Sequence, residues 1–294
     1  MYYRRKILLS LLQVFDNKLE KLRLQKLLFL YNRLQADKSF HFVPYKYGCY
    51  SFQANADLKT MIKYNMVFDD NKAWVKTDDI DYVAQLKQKD LQALKNLVNL
   101  HGNKTSLELI QFTYTNYPFF ATKSIIAKDF LTKDEFARVT KTVPVNTETK
   151  LYTIGYEGVS LEEYLNKLLI YDIKVLCDVR KNSLSMKYGF SKSQLSYACE
   201  NLDIKYVHIP DLGIDSECRQ ELNTQADYDK LFAQYRKTIL KETNKQQEQL
   251  IELVNQYKRV AITCFEANIH QCHRKHLAEA VQNNPGFKYG IQHI

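Results

Sequence analysis

The sequence predicts an α/β fold: an open, mostly parallel sheet of the flavodoxin or Rossmann-like kind, with helices on both faces, preceded by a smaller, mainly α-helical module. Three observations lead there. From Leu151 onward short apolar runs alternate with helical stretches, the pattern of crossover-connected parallel strands. The first eighty residues read as three helices followed by a hairpin, the order of a winged helix-turn-helix. The charge is also one-sided. Of a net +9, residues 1–148 hold 23 Lys/Arg against 15 Asp/Glu, and the remainder is nearly neutral with 19 against 18.

In the N-terminal part, Tyr2–Phe15 is apolar at helical spacing (Ile7, Leu8, Leu11, Leu12, Phe15), and Lys21–Leu34 is more strongly so. Asp16-Asn17 between them reads as a turn or cap. Phe42–Gly48 is a turn-bearing aromatic segment, Ser51–Tyr64 a third helix, and Met66–Phe68 with Ala73–Val75 a hairpin closed by Asp69-Asp70-Asn71-Lys72. Further helices are expected over Asp81–Asn99, Lys104–Tyr114 and Asp134–Val139. Thr142–Lys150 is polar, aperiodic and contains a proline. The organisation is therefore a basic winged-helix-like module over 1–80, a helical extension over 81–141, a linker over 142–150 and an α/β domain over 151–294.

In that domain the expected strands are Leu151–Ile154, Lys174–Cys177, Tyr206–Ile209, Val260–Cys264 and Phe287–Ile291. The helices between them are one capped by Ser160 and running through Leu169, Ser191–Asn201, a single long stretch over Tyr228–Tyr257, and Arg274–Gln282. Open α/β sheets bind ligands beyond the carboxyl ends of their strands. Gly155 and Tyr156 follow the first strand, Asp178 and Arg180 the second. His208 ends the third, Cys264 and Glu266 close the fourth, and His270, Cys272, His273 and Arg274 open the last helix.

Glu266 is the expected acid/base or ligand anchor, with Arg180 and Arg274 facing it as anion anchors and Asp178 as their orienter. Cys264 or Cys272 is the candidate nucleophile, the thiolate of Cys272 being favoured by the helix start and its basic neighbours. Gly155, Tyr156, His208 and His273 are read as ligand-binding. Each has a plainer reading: an Asp178–Arg180 pair, a structural histidine, a buried thiol. Zinc held by Cys264, His270, Cys272 and His273 is the rival reading, although the chain has no C-x-x-C; no cofactor is otherwise expected. P-loop, dinucleotide-binding and serine-hydrolase glycine motifs are absent, as is a cysteine followed by an arginine at phosphatase spacing.

The blocks LYTIGYEG (151–158), VLCDVRKNSLS (175–185), YGFSKSQLSYACENLDIKYVHIPDLG (188–213) and ITCFEANIHQCHR (262–274) resemble the domain-of-unknown-function 488 family. Its marks are a T-I-G opening, D-V-R after the second strand, a strand closing on H-x-P-x-L-G, and C-x-E followed by C-H-R. They fall on Gly155, Asp178, Arg180, His208, Pro210, Leu212, Gly213, Cys264, Glu266, Cys272, His273 and Arg274. Many members carry histidine and serine after T-I-G, where this chain has Tyr156 and Glu157. The resemblance implies a site and names no reaction. Residues 24–31 and 45–50 loosely resemble winged-helix-like modules of mobile-element and toxin–antitoxin proteins.

Three functions are open to this sequence. The first is an enzyme acting on a nucleotide, nucleobase or modified nucleic acid, delivered by the N-terminal module through Arg4, Arg5, Lys6, Lys21, Arg23, Lys26, Lys46 and Lys63. The second is a non-catalytic DNA-binding regulator that senses a small anionic ligand. The third is an adaptor whose N-terminal part binds protein. No run of about eighteen apolar residues exists, so no membrane partner is expected. The start lacks a leader pattern and six scattered cysteines do not make a disulfide framework, so a cytoplasmic location is expected.

Overall fold

The computed structural model describes residues 1–219 and 222–294, which form two units, Met1–Val143 and Pro144–Ile294. In the first, α1 (Tyr3–Gln13) buries Ile7, Leu8, Leu11 and Leu12. Asp16 and Asn17 then take positive φ, 55° and 59°, a conformation their short polar side chains tolerate. This turn feeds a strand that the sequence reading missed, β1 (Lys18–Glu20). Helix α2 (Lys21–Leu34) follows as expected. The aromatic segment is a complete hairpin, β2 (Val43–Tyr45) and β3 (Gly48–Tyr50), turned through Gly48 at φ +93°. Next come α3 (Phe52–Ile62), capped by Ser51, then β4 (Val67–Asp69) and β5 (Ala73–Lys76). Strand β1 pairs antiparallel with β5, so the sheet order is β1-β5-β4. At three residues, β1 is too short to leave a period-two signature. The unit is completed by α4 (Gln88–His101), α5 (Ser106–Asn116), α6 (Ala127–Phe130) and α7 (Lys133–Lys141). Thr105 with Glu108 and Thr132 with Glu135 form capping boxes that start α5 and α7.

The second unit is a five-stranded, wholly parallel sheet with helices. Its elements are β6 (Lys150–Gly155), α8 (Leu161–Ile170), β7 (Val175–Asp178), α9 (Lys192–Glu200), β8 (Lys205–His208), α10 (Gln225–Lys237), α11 (Ile239–Glu242), α12 (Asn244–Tyr257), β9 (Arg259–Cys264), α13 (His273–Gln282) and β10 (Gly290–His293). The strand order is β10-β6-β9-β7-β8. Ser160 caps α8 through a capping box with Glu163. The stretch expected as one helix over 228–257 is three. Thr238 leaves helical geometry at ψ −87° and Thr243 at ψ 33°, and each hydroxyl bonds back to the carbonyl four residues earlier, a habit that bends and ends helices. The last strand lies slightly later than expected, alongside β6. Leu151, Val175, Val260, Ile262, Leu250, Val254 and Leu277 form the heart of the core. No helix among the described residues is long and apolar enough to cross a membrane.

Candidate functional site

Strand register brings the four sequence blocks to one edge. Gly155 lies opposite Cys264 across β6 and β9, and Asp178 lies opposite Thr263 and His208 across β9, β7 and β8. All strands run the same way, so these positions form a row at the carboxyl edge. Above the row is a cleft of about 390 Å³ lined by Tyr156, Arg180, Lys181, Asn182, Leu184, Ser185, Met186, Ile214, Cys264, Phe265 and Glu266.

Asp178 is fully buried and accepts from the Arg180 amide at 3.0 Å, from Arg180 Nε at 2.9 Å, from Arg180 Nη2 at 2.5 Å, and from the Tyr206 hydroxyl at 2.6 Å. The remaining arm of Arg180, Nη1, donates to Tyr156 Oη at 2.6 Å. Burial pulls the guanidinium toward the neutral form. Its bonds and charge attraction to Asp178 outweigh this, so its pKa is raised and it stays charged. The Tyr206 hydroxyl is pushed up by burial and by Asp178, and stays a donor. The plainer reading of Asp178 and Arg180 as a pair is therefore what the fold contains, but the pair sits at the cleft wall and orients Arg180 there.

Tyr156 stacks on Phe190 with centroids 4.2 Å apart and meets Phe265 edge-on at 5.3 Å. Lys187 Nζ donates to the Tyr156 carbonyl at 2.6 Å, and burial lowers its pKa. The two residues that depart from the family pattern thus have local work. Tyr156 holds Arg180, and Glu157 accepts from the Ala267 amide at 2.9 Å, tying the β6 loop to the β9 loop.

Gly155 permits that closeness, since a Cβ there would lie 2.0 Å from the Glu266 carbonyl oxygen. Gly213 does the same beside β7, where a Cβ would fall 2.3 Å from the Lys181 nitrogen. His208 Nε2 bonds the Arg180 carbonyl at 2.9 Å, and its Nδ1 faces Lys192 Nζ at 3.3 Å. A carbonyl can only accept, so Nε2 carries the proton. His208 braces the segment after β7 and does not line the cleft.

Glu266 lines the cleft, and its Oε2 accepts from the Cys264 thiol at 3.2 Å. Arg274 departs from expectation. It is 2% exposed, and its guanidinium donates to the carbonyls of Glu266 and Ala267. It shapes the loop that carries Glu266 and is not an anion anchor. Cys272 is also corrected. It is fully buried, and burial, with Cys264 beside it, pushes its thiol well above the ordinary range, against the weaker pull of Arg274. Desolvation thus overrides the helix start that was expected to favour a thiolate. Cys264, Cys272 and His273 lie together with their ligating atoms all within 4.8 Å of one another, a group that could hold a metal ion. His270 is not among them: it is exposed on the preceding turn.

Sequence reasoning missed Lys181, Asn182 and Ser185 as cleft residues and Tyr206 as the partner of Asp178. Tyr206 was legible in principle, being two residues before His208 on the same strand and hence on the same face.

The N-terminal candidates scatter. Arg4 and Arg5 both pair with buried Asp57, at 2.5 Å and 2.7 Å. Lys21 pairs with Asp69 at 2.7 Å, and Arg23 donates to the Gly102 carbonyl at 2.7 Å. Lys26 is corrected outright: it is buried, donates to the Tyr47 carbonyl, and lies 3.6 Å from Cys49 Sγ, with burial lowering its pKa. Lys6 is half-buried, and Lys46 and Lys63 are exposed, as is Lys59, which the sequence reading passed over.

The fold and site define an open parallel α/β domain with a polar and aromatic cleft at its carboxyl edge. Residues 160–281 match the family model described as Domain of unknown function DUF488, so this unit carries a DUF488 domain. Comparison with curated proteins and with solved structures finds no match.

Proposed function

We propose that the protein is an enzyme that acts on a nucleotide, nucleobase or modified nucleic acid in the cleft over β6, β9 and β7, with the N-terminal unit as a winged-helix-like module that brings nucleic acid to it. The observation that carries the reading is the lining of the cleft: Phe265, 41% exposed, as a ring, Arg180 and Lys181 as cations, and Glu266 as a carboxylate. Ring faces stack on bases, cations take phosphate, and a positioned carboxylate moves a proton. Glu266 is the acid/base, Arg180 the anion anchor and Asp178 the residue that orients Arg180.

For the N-terminal unit, support comes from topology. Its order of helix, strand, helix, hairpin, helix, hairpin, with the first strand beside the last, is compatible with a winged helix that carries one inserted hairpin. Lys59 and Lys63 lie exposed at the end of α3, where phosphate contacts would form.

The test incubates the full chain with nucleoside monophosphates and with a short single-stranded oligonucleotide, read by mass spectrometry. The wild type is expected to convert at least one of them, and Glu266→Gln to slow conversion by about 10²–10⁴-fold. A nucleotide bound but unchanged would replace this reading with a ligand-sensing regulator. Conversion unaffected by Glu266→Gln, or no binding at all, would overturn it.

A further inference from the structure

We propose that Cys264, Cys272 and His273 bind a soft metal ion, zinc before others, on the floor of the cleft. The inference does not rest on the substrate proposed above. The chain builds the group from one connection. Cys264 is the last residue of β9, Cys272 the residue that precedes α13, and His273 the first of that helix. The loop between them, gripped by Arg274 through the carbonyls of Glu266 and Ala267, folds back so that the three meet.

The geometry suits a tetrahedral ion. Cys264 Sγ and His273 Nδ1 are 3.6 Å apart. Zinc with bonds of about 2.3 Å to sulfur and about 2.0–2.1 Å to nitrogen holds two such ligands at a separation of about 3.6 Å at the tetrahedral angle. All three ligating atoms lie within 4.8 Å of one another.

The histidine is already oriented for the task. Its Nε2 bonds the Val179 carbonyl at 3.3 Å. That carbonyl can only accept, so the proton is on Nε2 and Nδ1 turns a lone pair toward the sulfur. Backing a ligating imidazole with a carbonyl on its far nitrogen is the usual outer support of a metal site. Two thiolates also balance the charge of a divalent ion, which a buried site requires.

Of the three residues only Cys264 lines the cleft. The fourth position therefore faces the cleft, where Glu266 Oε2, outside the ligand group, lies 3.2 Å from the same sulfur. Three protein ligands with one position facing a cleft is the arrangement of a catalytic zinc. The sequence reading that counted His270 as a ligand is narrowed to three protein ligands.

The test uses the full chain, purified reduced, stripped with a chelator and titrated with zinc and with cobalt(II). One ion per chain is expected, the cobalt form showing a thiolate-to-metal charge-transfer absorption. Cys272→Ser should weaken zinc binding by more than about a hundredfold, the upper end of what loss of a mere outer partner costs, while Cys218→Ser, outside the cluster, should bind as the wild type does. Buried substitutions can unfold a chain, so X-ray absorption at the zinc edge of the unaltered protein supplies the second readout, with two sulfur and one nitrogen neighbours expected. A folded, reduced wild type that takes up no zinc, zinc without sulfur neighbours, or unchanged affinity in a folded Cys272→Ser would each overturn the site.

Discussion

In the N-terminal unit the carboxylate of Asp57, 1% exposed, receives Arg4 at 2.5 Å and Arg5 at 2.7 Å, whose side chains remain 31% and 16% exposed. In the C-terminal unit Asp178, with no exposure, receives Arg180 through three N–H groups and Tyr206 through its hydroxyl, and Arg180 keeps 5%. Each unit thus sinks a carboxylate and covers it with guanidinium. At Asp57 the result is subtraction: two cations from the most basic stretch of the chain are drawn onto α3 and share one carboxylate, which takes one unit from the charge available to a polyanion. At Asp178 the result is placement: a cation too costly to bury alone is held charged at a cleft wall. The net charge of a segment therefore says little about a partner until the acids that consume it are located.

The largest expected effect follows from the drier of the two pairs. Asp178→Asn leaves Arg180 buried beside a neutral amide, and removing one partner of a buried pair costs about 3–5 kcal/mol. Denaturant unfolding measures it, and a loss no greater than that of the Asp57 variant would erase the contrast. Next is Gly155→Ala, whose new Cβ would sit 2.0 Å from the Glu266 carbonyl oxygen. Overpacking of this kind costs about 1–3 kcal/mol, and because the obstruction is backbone the loop carrying Glu266 should shift. Ligand affinity of the cleft should fall together with stability, and stability lost without any change in affinity would detach the glycine from the site.

The wetter pair should yield less. Asp57→Asn is expected to cost about 1–2 kcal/mol, since solvent still reaches both arginines. On the nucleic-acid role proposed above, it should also free Arg4 and Arg5, strengthening binding to duplex DNA and steepening the salt dependence by up to about two phosphate contacts. Salt titrations that superimpose on the wild type would show that this face does not meet DNA.

The smallest effect is one of pH. Burial and the nearby Asp90, to which it donates at 2.8 Å, raise Tyr3 from 10.0 to about 12. The folded state thus holds the neutral hydroxyl more firmly than the unfolded chain does. The stability this contributes is complete below pH 10 and is lost as pH rises toward 12. Tyr3→Phe should flatten that part of an alkaline unfolding profile and leave neutral pH little changed in slope.

Local pattern made most of the architecture legible. Apolar runs ended by Gly155, Asp178, His208 and Cys264 read as parallel strands because strand and helix periods differ and because the turns between them carry caps such as Ser160. The same reading placed Tyr156, Arg180, Cys264 and Glu266 at one edge, and those four do line one cleft. It failed where the deciding partner is remote or the local signal is weak. Strand β1 exists through pairing with β5, and the breaks at Thr238 and Thr243 depend on hydroxyls that a periodicity count ignores.

By itself, then, the sequence determined the alternation of strands and helices, the basic N-terminal half and the row of reactive side chains, all properties written over a few consecutive residues. Tertiary structure alone decided which charges are spent. Arg4 meets Asp57 across 53 residues, Lys26 disappears beneath Tyr47, and Arg274 turns from the cleft to two carbonyls. Hydrogen bonding and desolvation depend on distance in space, and only the folded chain sets those distances.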